Sequence, residues 1–88
     1  MNVEYSEVAI DDLLRFSLNE RELIVKKIEY LSQNFDLLKK SKKVTALKGK
    51  HSGKYRLVVA RKIRVIFQLK DDRLIILILR VGKRKDIY

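Results

Sequence analysis

Apolar residues fall into two periods along the chain. Val3 and Tyr5 alternate with polar neighbours, which predicts a short strand over Asn2 to Tyr5, and Ser6 is placed to cap the helix that follows. Ala9, Leu13 and Phe16 recur at helical spacing and share one face. Asn19 followed by Glu22 reads as a capping signal for a second helix, whose apolar stripe is Ile24, Ile28, Leu31 and Phe35. The two segments predict a helical hairpin that turns at Ser17 to Asn19.

From Asp36 to Lys54 the helical period decays into a lysine-rich connection, KKSKK and then LKGKHSGK, punctuated by Gly49 and Gly53. Leu37, Leu38, Val44 and Leu47 are its apolar anchors to the body. Three strands follow, Tyr55 to Val59, Ile63 to Leu69 and Leu74 to Val81, with turns at Ala60 to Lys62 and Lys70 to Arg73. Links this short imply antiparallel hairpins. In the middle strand Ile63, Val65, Phe67 and Leu69 face the helices, and Arg64, Ile66 and Gln68 face away. The last run, LIILILRV, is apolar on both faces, as an inner strand is; a buried helix reads the same way, but the flanking turns and β-branched residues favour the strand. With no repeat and no composition boundary, residues 1–88 read as a single α+β domain.

A chain of 88 residues buries only roughly 60 to 65% of its unfolded surface, so most apolar side chains are committed to packing. There is no cysteine and only one histidine, which argues against a thiolate or imidazole metal site and against any metal or small-molecule cofactor. The N-terminus lacks a signal-peptide pattern, and no apolar run approaches the ~20 residues of a membrane helix. A cytoplasmic protein is expected. Charge is sharply divided: Met1 to Leu38 carry 8 acids and 4 bases, and Lys39 to Tyr88 carry 3 acids and 17 bases. Such a field attracts polyanions.

Arginine suits phosphate because its planar fork is permanently charged. Arg56 and Arg64 have the same parity relative to their apolar neighbours on adjacent strands, and Arg80, Lys83, Arg84 and Lys85 follow where the last strand runs out. A concave basic patch is therefore expected, with Lys48, Lys50, Lys54 and Arg61 as further contacts to a nucleic-acid strand. Tyr88 either plugs the core or meets a base or a proton beside the patch. His51 reads as a residue of a glycine-flanked loop, Asp71 and Asp72 as turn residues, and Asp86 as an ion-pair partner for the cluster.

The tail KYRLVVARKIRVIFQLKDDRLIILILRVGKRKDIY resembles the RelE/ParE toxin superfamily: a YR-type strand, an arginine in the second strand, a hairpin and a closing VGxR…Y. The A-x-x-D-L-x-x-F of Ala9 to Phe16 and the LKG of Leu47 to Gly49 match in order ahead of it, so the likeness spans nearly the whole chain. The resemblance implies a β-α-α-β-β-β order, with a four-stranded, largely antiparallel sheet and a helical hairpin on one face. It also implies a toxin with a cognate acidic antitoxin and a metal-independent cut in messenger RNA on the ribosome, by attack of the 2′-hydroxyl on the adjacent phosphate. Arg56, Arg64, Arg84 and Tyr88 fall on the positions of the nuclease site. Val58 stands where some nucleases have lysine, and Lys83 where many relatives have histidine. The alternative within the superfamily is a ParE-like inhibitor of DNA gyrase with no chemistry of its own.

Overall fold

The computed structural model describes residues 1–87. Its elements are β1 (Asn2–Tyr5), α1 (Glu7–Leu14), α2 (Leu18–Gln33), α3 (Phe35–Lys40), β2 (Val44–Ala46), a 3₁₀ turn at Gly49–His51, β3 (Tyr55–Ala60), β4 (Ile63–Lys70) and β5 (Ile75–Lys83). Ser6 caps α1, its hydroxyl accepting the Ala9 N–H at 3.0 Å. The cap of α2 lies two residues earlier than the sequence signal at Asn19 and Glu22. Ser17 accepts the Glu20 N–H at 3.2 Å, and Glu20 accepts the Ser17 N–H at 3.1 Å. Both frames fit the capping template; the earlier one also buries Phe16 just before the cap, where its carbonyl accepts from Arg21 Nε at 3.0 Å. Ser17→Ala removes the hydroxyl half of this reciprocal pair and is expected to cost about 1 kcal/mol. Urea unfolding should show a lower midpoint with an unchanged slope.

Phe35, which the sequence stripe assigns to α2, opens a separate helix after Asn34 breaks the backbone at φ −139°, ψ 35°. The stripe continues in space: the Phe35 ring meets Tyr55 and Phe67 edge-on at 5.4 and 6.3 Å, while Tyr55 and Phe67 stack at 5.4 Å.

The sheet has five strands in the order β1-β5-β4-β3-β2, with β1 parallel to β5 and the other pairs antiparallel. The expected count of four misses β2, which pairs Val44 with Leu57, Thr45 with Arg56 and Ala46 with Tyr55. Three residues set among lysines are too few to display an alternation, although Val44 itself is buried. Apolar residues of the helices and of one sheet face form a single core that includes Ala9, Ile24, Ile28, Leu31, Leu57, Val65, Phe67 and Ile78. Asp71, Asp72 and Arg73 form the β4–β5 turn with φ of 54°, 53° and 71°. Arg73 is tethered there by its place over the Phe35 ring, 5.0 Å from the centroid. No described helix is long and apolar enough to cross a membrane.

Candidate nucleic-acid interface

Residues directly opposed across strands share a face, and the pairing sorts the sheet into rows. One row, Val44, Leu57, Val65 and Val81, belongs to the core. The next, Thr45, Arg56, Ile66 and Arg80, and the one beyond it, Val58, Arg64 and Gly82, lie on the opposite face, away from the helices. Arg56 and Arg64 therefore share the open face, as their parity in the sequence implies.

Arg80 reaches that face by a different route. Phe67 pairs with Ile78 but Ile66 with Arg80, so Leu79 is an extra residue in β5. Strict alternation from buried Ile78 would turn Arg80 into the core; the bulge turns it outward and returns Val81 to the core. Beyond Ile78 the outer edge of β5 also loses its partner, because β1 ends at Tyr5. Residues of α1 and its cap replace the missing strand. The Ser6 N–H donates to the Ile78 carbonyl at 2.9 Å, the Ser6 hydroxyl to the Leu79 carbonyl at 3.0 Å, and the Val81 N–H to Asp12 Oδ2 at 2.9 Å. Asp12 is 4% exposed and also accepts from Arg80 Nε at 2.9 Å and Nη2 at 3.4 Å. That hydrogen bond, and after it the charge of Asp12, push the Arg80 guanidinium further above its ordinary value against a small opposing effect of burial. Asp12, on α1, is the acid that pairs with this cation, and no ion pair of Asp86 is seen among the described residues, where the sequence placed it beside the cluster.

Beside Arg80 lies a hollow of about 500 Å³ lined by apolar Ile66, Leu79 and Ile87 and by polar Lys54, Gln68 and Arg80. That size falls in the ordinary range for a bound organic group, about 300 to 1,000 Å³. His51, read from the sequence as a loop residue, also lines it. Ile87 folds back over Gly82, where an added Cβ would meet Ile87 Cδ1 at 3.1 Å. The bare backbone at Gly82 is what lets the tail close against the open face.

The remaining candidates divide by position. Arg64 Nη1 donates to the carbonyls of Ala60, Arg61 and Ile63 at 2.7, 3.3 and 3.1 Å, which holds the guanidinium at the β3–β4 turn. Arg61 is exposed in that turn. Arg84 follows β5 directly; its N–H donates to the Lys62 carbonyl at 2.7 Å, and it shares a groove of about 160 Å³ with Lys62, Lys83 and Lys85. Lys48 and Lys50 are exposed at the 3₁₀ turn, and Tyr88 lies outside the described residues. Among the described residues no group of three His, Cys, Asp or Glu side chains could hold a metal ion. The sequence reading overlooked the bulge and also the role of Asp12, which entered it only as the aspartate of A-x-x-D-L-x-x-F. An aspartate three residues after Ala9, on the apolar face of α1, was the available signal for the second.

No protein-family model and no curated protein sequence matches the chain. Solved structures do. The toxin–antitoxin complex RelBE2 from Mycobacterium tuberculosis superposes with a TM-score of 0.77 at 19% identity, covering 94% of this chain and 96% of that one. The archaeal RelE–RelB complex from Pyrococcus horikoshii gives 0.71 at 19% identity, covering 97% and 96%. A YoeB/ParE toxin from Agrobacterium tumefaciens gives 0.70 at 14% identity, covering 96% and 99%. The likeness spans nearly all of each chain and is one of fold.

Proposed function

We propose that this chain, which has the fold of the RelE/ParE toxins, is the toxin of a type II toxin–antitoxin pair and cuts messenger RNA on the ribosome. What supports the reading most is the placement of Arg56 and Arg64 on one open sheet face, with Arg84 two residues beyond Gly82, the cross-strand partner of Arg64. Three cations so arranged suit one phosphate. In the reaction the 2′-oxygen bonds to phosphorus as the bond to the 5′-oxygen breaks; one proton leaves the 2′-hydroxyl and one is delivered to the 5′-oxygen. The arginines hold the phosphate and offset the charge gathering on its oxygens. Tyr88 stacks on a base or carries a proton, and Lys48, Lys50, Lys54, Arg61, Arg80, Lys83 and Lys85 guide the strand. The net +10 charge suits an acidic antitoxin that folds on binding.

One observation favours the gyrase-directed alternative. Val58 lies directly opposite Arg64, so this position of the open face, where some nucleases have lysine, is apolar. A purified translation mixture programmed with one defined message separates the two readings. Cleavage of the ribosome-bound message, absent with Arg64→Ala, is expected; an intact message together with inhibited supercoiling by gyrase would favour the alternative. In the same assay Tyr88→Phe is expected to keep activity if the ring stacks, whereas Tyr88→Phe and Tyr88→Ala fail alike if the phenol carries the proton.

A further inference from the structure

Burying a carboxylate in a domain this small is costly unless each of its acceptor sites is used. Asp12, on α1, accepts the Val81 N–H, which repairs the edge of β5 left open by the end of β1. That bond alone accounts for a neutral acceptor and not for an ionised one. The charge goes to Arg80, through Nε at 2.9 Å and Nη2 at 3.4 Å. A guanidinium has five N–H donors, and this pairing engages one on each of two nitrogens. The rest belong to a side chain that is 47% exposed, set by the Leu79 bulge on the same row as Arg56. An arginine on an open strand otherwise samples many rotamers, and each must be given up when it binds.

Resting on the RNA reading above, we infer that Asp12 is a positioning residue: it holds the Arg80 guanidinium on the open sheet face, prepared to contact a phosphate of the bound RNA strand. Arg80 then meets the strand with a fixed fork, and α1 becomes part of the binding device instead of a packing element alone. The energetic logic is preorganisation, in which the ordering cost of the fork is met on folding and not on binding.

The probe is a short single-stranded 2′-O-methyl oligoribonucleotide, which cannot be cut because its attacking hydroxyl is blocked. Its affinity is read by fluorescence anisotropy over a salt series. Arg80→Ala is expected to weaken binding about tenfold and to lower the log–log salt slope by about 0.7, the loss of one phosphate contact. Asp12→Asn is expected to weaken binding at least about threefold, although it removes a negative charge. Long-range electrostatics alone gives the opposite sign, and a purely structural role leaves affinity unweakened at a temperature where the variant is folded. In an Arg80→Ala background the same Asp12→Asn change should alter affinity less than about twofold, because the group it positions is gone. Should Asp12→Asn fail to fold, Arg80→Lys decides the matter. It keeps the charge, but its single ammonium drawn to Asp12 cannot also present a fork, and it is expected to bind as weakly as Arg80→Ala. Equal or tighter binding by Asp12→Asn, or parental affinity in Arg80→Lys, would overturn the inference. Binding that Arg64→Ala weakens while the Arg80 variants leave it unmoved would overturn this inference alone; no salt-dependent binding by the parent would overturn the RNA reading and this one with it.

Discussion

Arg64→Ala and Arg84→Ala are each expected to abolish growth inhibition on induced expression while the protein remains folded. Removing one preorganised charge contact to a transition state costs roughly 3 kcal/mol, on the order of a hundredfold in rate. Neither change opens a cavity, because Arg64 lies on the sheet face away from the helices and Arg84 in the exposed turn after β5. Arg64→Ala does surrender contacts to the carbonyls of Ala60, Arg61 and Ile63, but these sit at a hairpin end where water can replace it. Circular dichroism and a thermal midpoint near the parent's, together with lost toxicity, are the expected pair of results. A folded and fully toxic Arg64→Ala, Arg84→Ala double variant would remove the patch from the mechanism.

Phe67→Ala should lose toxicity for the opposite reason. Phe67 is fully buried at the centre of β4, stacked on Tyr55 and met edge-on by Phe35, so it ties α3, β3 and β4 together. Large-to-small changes of this kind cost roughly 3 to 5 kcal/mol, against a total stability of about 5 to 15 kcal/mol for an ordinary domain. Urea unfolding should show the midpoint falling by about a fifth or more of its value, and Phe67→Leu, which refills most of the space, should recover over half of the loss. A Phe67→Ala variant as stable as the parent would mean that the aromatic cluster is not the core of this fold.

The helices α1 and α2, the strands β1, β3, β4 and β5, and the shared face of Arg56 and Arg64 were legible because they rest on period alone. Alternation in β3 and β4 fixes which side chains face the helices, and the polar turns fix which strands pair. What stayed hidden depends on contacts distant in sequence. A three-residue strand at Val44–Ala46 exists only because the edge of β3 is there to receive it. The bulge at Leu79 leaves an all-apolar run unchanged in composition while reversing which face Arg80 occupies. Asp12 gives a local hint, a carboxylate on an apolar helix face, but its partners lie 68 and 69 residues away. The second helix cap was ambiguous for another reason, since two overlapping frames satisfy the same template and only the burial of Phe16 selects between them.

The central claim is that the open face acts on RNA. Its most direct test is to map message ends across the cell within minutes of inducing the chain, beside a parallel recovery of covalent gyrase–DNA complexes. The account predicts new cuts confined to translated regions, with 5′-hydroxyl ends as attack by the 2′-hydroxyl requires, and no accumulation of gyrase complexes. Intact messages with trapped gyrase–DNA complexes would contradict it.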